Sequence, residues 1–199
     1  PEAQRYERLE ASSSGLVFLW GMGKRFPRMQ VHNIFFSDNY PDEFDAIFRR
    51  LDLPEHPTVY VNITSKVTPE DAPAEGENWF VLLNAPRSAG QDWPALAARA
   101  KRAVLHRLSM SLGGEIDAWI REEKILTPVD IERDTGSTFG SLYGIASHSS
   151  VSAFLRHPNR SRRIPGLYFA GGSVHPGGGM PLALLSGVLV ADLAERHER

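Results

Sequence analysis

At 199 residues, 42% apolar and 23% charged, the chain is long enough to enclose a core and too apolar to remain disordered. Its 22 Lys and Arg nearly cancel its 24 Asp and Glu, so it carries no field that would gather nucleic acid, and partners must be found by shape or apolar contact. The absence of cysteine excludes a disulfide framework, a thiolate nucleophile and a Cys-based zinc site, and permits a reducing, cytoplasmic location.

Pro1-Glu2-Ala3-Gln4 carries no leader and reads as the start of a cut piece. No apolar run approaches the roughly 20 residues that span a bilayer. The runs 15–22 (GLVFLWGM) and 31–36 (VHNIFF) predict strands, the first buried on both faces. Pro41 opens a short helix whose Phe44, Ile47, Phe48 and Leu51 recur on one face, and Pro54 lies beyond its end. Residues 58–64 alternate by two and 79–84 are apolar, which predicts neighbouring antiparallel strands joined by a loop with Pro69, Pro73 and Gly76. A long helix follows from Pro94 to Leu112, with Leu96, Ala100, Val104 and Leu108 inward, and Gly113-Gly114 stops it. Thr127-Pro128-Val129-Asp130 has the form of a capped helix start.

Residues 166–170 (GLYFA) predict a short strand entering a loop that holds five glycines in the nine positions 171–179, followed by an apolar helix from Met180-Pro181. Glycines at that density suit backbone that must approach a ligand closely. Pro181 lacks an N–H that would be unpaired in the first turn anyway, and the remaining free N–H groups favour negative charge. The candidate contact residues are therefore Gly171, Gly172, Ser173, His175, Gly177, Gly178, Gly179, Met180 and Pro181, with Ala183, Ser186, Gly187 and Ala191 small enough for close packing of the helix on a sheet.

Residues 167–181 (LYFAGGSVHPGGGMP) resemble the C-terminal flavin motif of the phytoene desaturase family of carotenoid desaturases, isomerases and related oxidases. His32-Asn33-Ile34-Phe35-Phe36-Ser37, Tyr40, Pro57-Thr58-Val59-Tyr60, Thr127-Pro128 with Asp130, Gly136-Ser137 and Gly140-Ser141 resemble that family's landmarks in order. The resemblance implies an α/β flavoprotein with a mixed sheet, α+β in a substrate-domain segment at 1–160, and a returning strand-loop-helix of a Rossmann-like FAD domain at 161–199. It implies FAD at the glycine loop, hydride transfer from a carotenoid-like polyene, and a peripheral membrane contact. No G-x-G-x-x-G occurs here, so the adenine-binding half is absent and the fragment alone is expected to be inactive. Gly172 replaces the acid that many such flavoproteins carry, and Leu182 stands where many desaturases have glycine. The competing readings are a carotenoid isomerase, an amine oxidase, or a non-catalytic module.

Catalytic residues are not identified. His32, His56, His106, His148, His157, His175 and His197 form no H-x-x-x-H pair, so no metal site is expected. Gly171-x-Ser173 lacks the second glycine of a nucleophile elbow, and His175 is read as bonding loop backbone. Segments 147–150 and 156–160 read as polar loops near a substrate path, and Arg160-Ser161-Arg162-Arg163 as a solvated loop able to meet lipid headgroups. Trp20, Phe35, Phe36, Tyr60 and Trp79 are candidates for lining a polyene tunnel or for core.

Overall fold

The computed structural model describes residues 9–146 and 156–197, so residues 1–4 and 147–150 named above lie outside the described residues. Ser14–Gly140 forms one compact unit, and Ser141 onward joins the residues before Ser14 in a second. Within the second unit, Ser12 N–H bonds Gly144 O at 2.8 Å and Ala146 N–H bonds Glu10 O at 2.8 Å, tying residues 10–12 to 144–146.

The first unit is built on a five-stranded sheet in the order β2-β3-β4-β1-β5, with β1 at Ser14–Met22, β2 at His32–Phe35, β3 at Val59–Asn62, β4 at Glu77–Ala85 and β5 at Ile120–Leu126. Every strand pairing is antiparallel, so the sheet is not the mixed one expected. β4 and β5 both run antiparallel to β1, which lies between them, so the helix that joins them crosses over between two strands of the same direction that do not pair with each other. Alternate residues of three strands bury one face: Leu16, Phe18, Trp20 and Met22, then Val59 and Val61, then Trp79, Val81 and Leu83. Trp93, Ala97, Ala100, Val104 and Leu108 of the long helix Trp93–Leu112 belong to the same core. Their spacing is one helix face, and Asp92 caps its start by accepting from Ala95 N–H at 3.1 Å. Leu96, expected inward, is only partly buried. β1 is buried on both faces from Ser14 to Phe18 and alternates from Leu19.

We label the helices α1 (Tyr40–Asp45), α2 (Trp93–Leu112), α3 (Pro128–Thr135) and α4 (Met180–His197). α1 runs into a wider turn at Ala46–Arg50. Its inward face is Glu43, Ala46 and Ile47, whereas Phe44, expected inward, is exposed. Glu43 can be fully buried because its carboxylate accepts from Thr58 N–H at 3.1 Å, Thr58 Oγ1 at 2.7 Å and Asn84 Nδ2 at 3.3 Å. β5 was not foreseen. Its sequence IREEKIL is mostly charged and exposed, the composition of an edge strand, and Glu123 at its centre accepts from Trp20 Nε1 at 2.7 Å.

Candidate functional site

The glycine-rich segment lies wholly in the second unit. Residues 166–170 do not form the expected strand; they make single bridges, Arg160 with Tyr168 and, further on, His157 with Val174. A strand requires a ladder partner, and the stretch 156–161 supplies only isolated bonds: Phe169 N–H to Asn159 O at 2.8 Å, Ser161 N–H to Leu167 O at 2.9 Å and His175 N–H to His157 O at 3.0 Å. Leu167, Tyr168 and Phe169 are accordingly half-buried, with the His157 ring edge-on to Phe169 at 4.6 Å.

The expected helix is present: α4 begins at Met180, and Ala183 N–H bonds Gly179 O at 2.9 Å across its start. The glycines separate into two kinds. At Gly177 a Cβ would sit 3.0 Å from the Arg156 guanidinium, and at Gly178 it would sit 2.2 Å from the Tyr143 ring. Their bareness is accounted for by packing inside the unit. At Gly171 (φ +128°) and Gly179 (φ +97°) nothing among the described residues lies within 4 Å of a built Cβ, so backbone conformation rather than a described neighbour calls for glycine there, and space is open beside the backbone. Gly172 meets Gly178 Cα at 3.6 Å, which brings the two ends of the loop together. Ser173 is exposed beside Gly144, Met180 and Pro181 are exposed at the helix start, and His175 is exposed with its N–H engaged. Arg156 also donates to Gly172 O at 3.3 Å and Tyr143 O at 3.4 Å.

Two residues take a part here that the sequence did not assign them: Asn159, expected only in a polar loop, and Ser186, expected only as a small packing residue. Asn159 Nδ2 donates toward His175 O at 2.8 Å, Phe169 O at 3.0 Å and Ser186 Oγ at 3.0 Å. Ser186, two turns into α4, donates to His175 O at 2.9 Å and accepts from Gly171 N–H at 3.2 Å. Both side chains are buried. Ser186 was singled out only as small, and the one available signal was a lone polar residue within an apolar helix. The other small residues of α4 do not pack on a sheet: Gly187 and Ala191 are exposed and Ala183 is half-buried.

Elsewhere, Trp20 and Trp79 are core, Phe35 and Tyr60 are half-buried and Phe36 is exposed. Arg162 and Arg163 are exposed, but Arg160 is partly buried, with Nε unpartnered among the described residues. Arg156, Arg160, Arg162, His175 and His197 line a cleft of about 650 Å³. Among the described residues no group of three His, Asp or Glu could hold a metal, and no helix is long and apolar enough to cross a membrane.

An α/β unit on an antiparallel sheet, followed in the chain by an open glycine loop and a long apolar helix, is the class of protein these elements define. No family model matches the chain. It is 52% identical over 184 residues to a 1-hydroxycarotenoid 3,4-desaturase of Flavobacterium sp. (strain P99-3), covering 92% of this chain and 38% of that protein. It is 36% identical over 197 residues to a 4,4'-diapolycopene oxygenase of Methylomonas sp, covering 96% of this chain and 39% of that protein. It is 34% identical over 204 residues to a 4,4'-diaponeurosporene oxygenase of Staphylococcus aureus (strain USA300), covering 99% and 41%. The chain is a homologue of the carotenoid desaturases and oxygenases and corresponds to their C-terminal portion. It spans about two fifths of the length of these relatives.

Proposed function

We propose that the chain is the C-terminal portion of an FAD-dependent oxidoreductase that desaturates a carotenoid-like polyene, and that residues 171–181 meet the flavin. The observation that carries this reading is the pair Gly171 and Gly179, which leave open space at positive φ beside the start of an 18-residue helix. Those residues fit a planar group approached by backbone. Bound flavin would supply a hydride acceptor for the substrate.

The chain's own part follows from its geometry. The first-turn N–H groups of α4 have no intrahelical partners and present partial positive charge, which favours the anionic reduced state of a group placed there. Gly171 and Gly179 leave that approach free, Met180 and Pro181 are exposed at the helix start, Gly172 meets Gly178, and a Cβ at Gly177 or Gly178 would meet Arg156 or Tyr143. Ser173 and His175 border it. Gly172 offers no carboxylate, so any cofactor contact at that position is made by backbone.

A cytoplasmic location with peripheral membrane contact is part of the proposal, since a carotenoid-like substrate partitions into bilayer and Arg162 and Arg163 are exposed. Liposome flotation that is unchanged on replacing these two arginines with glutamate would remove that part. The function is tested on the full-length parent by flavin content and by product analysis with hydroxylated and unhydroxylated carotenoids. Stoichiometric flavin and a product two hydrogens poorer are expected; a protein that purifies and reconstitutes without flavin would refute the reading.

A further inference from the structure

We infer that Asn159 and Ser186 are positioning residues that set the glycine loop and the start of α4 in register for the cofactor, an inference that rests on the flavin reading above. Asn159 is 7% exposed and Ser186 0%. Between them they bond three separate stretches: the approach to the loop at Phe169 and Gly171, the middle of the loop at His175, and the helix itself.

The donors and acceptors are nearly matched. The Asn159 amide has two hydrogens facing three acceptors, and the Ser186 hydroxyl gives its one hydrogen to His175 O and receives the Gly171 N–H. His175 O thereby receives bonds from both side chains. These backbone groups would be paired by a ladder in a regular strand; here two side chains perform that pairing. The consequence reaches the site because Ser186 belongs to the same rigid helix whose first turn is at Met180, and Gly171 is one of the two open glycines. Removing the node frees the helix start to shift against Gly171. Both side chains are buried, so the node acts through the loop backbone that it bonds.

The test uses the full-length protein with Asn159→Asp, Ser186→Ala and the double variant. Asn159→Asp keeps the shape and replaces the one donor group by an oxygen that faces two carbonyls and the Ser186 hydroxyl; Ser186→Ala deletes one oxygen and keeps the test alive if the first variant does not fold. Hydrogen exchange at the Gly171 amide should accelerate at least about tenfold in Ser186→Ala, with β1 and β4 amides unchanged. Flavin dissociation constants should rise about tenfold. The reduced form should lose about tenfold more affinity than the oxidised form, a drop of roughly 30 mV for a two-electron couple. The double variant should cost less than the sum of the singles, as expected for one node. Variants with faster exchange and a lower melting temperature but unchanged flavin affinity, spectrum and potential would overturn the inference, because a purely structural node predicts that. A wild-type protein that binds no flavin overturns the flavin reading and the positioning role together, and is distinguishable because exchange at Gly171 still responds to Ser186→Ala.

Discussion

Gly178→Ala should damage the loop through one identifiable contact. The added methyl would lie 2.2 Å from Tyr143 Cδ1 and 3.0 Å from Cε1. Overpacking of this kind costs about 1–3 kcal/mol, and Gly178 has an ordinary φ, so no backbone strain is added. Tyr143 is 45% exposed, so its truncation to alanine should cost well under the ~3–5 kcal/mol of a buried aromatic. The double variant Gly178→Ala/Tyr143→Ala should then recover most of the loss, a coupling of about 1–2 kcal/mol in a double-mutant cycle. Gly171→Ala is the control: its cost of about 1–3 kcal/mol comes from φ +128° with no neighbour within 4 Å, and Tyr143→Ala should leave it unrescued. Denaturant unfolding of the full-length protein and flavin titration report both. Costs that add within about 0.5 kcal/mol for the 178/143 pair would refute the contact.

Glu43→Ala should destabilise the first unit by about 2–3 kcal/mol, because Thr58 N–H and Asn84 lose a buried acceptor, and Glu43→Gln by less because one carbonyl oxygen remains; thermal unfolding separates them. Thr127→Ala should cost about 1 kcal/mol by removing the α3 cap. The Thr127 hydroxyl and N–H hold the Asp130 carboxyl below its ordinary value, so its contribution is complete above about pH 4 and is lost as pH falls through the lowered native value; acid titration by circular dichroism should show a shallower loss in Thr127→Ala. Leu184→Glu/Val188→Glu should raise the solubility of the 199-residue chain at little cost in stability, since both side chains are exposed in it, yet abolish flavin retention in the full-length parent.

The sequence made most of the first unit legible because its elements are local: β1, β3, β4 and α2 each carry a run with one period and a stop signal, and their bounds fall within about two residues of expectation. β5 was invisible because an edge strand has little apolar face to display, and the inward turn of Glu43 was invisible because a buried carboxylate depends on donors from Thr58 and Asn84, distant in sequence. In the second unit the helix start at Met180 and the loop glycines were legible from type and spacing alone. Which glycines face inward was not, since that depends on Tyr143 and Arg156, and the Asn159–Ser186 node joins residues 27 apart in sequence that only the fold brings within 3.0 Å.

The departures in the second unit share one physical cause. An apolar stretch at Leu167–Phe169 that fails to become a strand, a helix whose Met180, Leu182, Leu184, Leu185 and Val188 are all exposed, and two glycines open to space are each what remains when a surface is built to be covered. At 100° per residue these five helix positions span more than half of the α4 circumference, leaving Ser186 on the narrow side that is buried within the chain. A helix apolar over that arc belongs to an interior, and covering a Leu or Val contributes about 1.5–3 kcal/mol each. The relatives carry about three fifths of their length outside the matched region, enough chain to supply the cover. Adding that portion in trans should therefore protect α4 amides from exchange and raise flavin affinity at the same concentration. Protection without flavin affinity would leave the helix as an interface alone and remove the cofactor from Gly171 and Gly179.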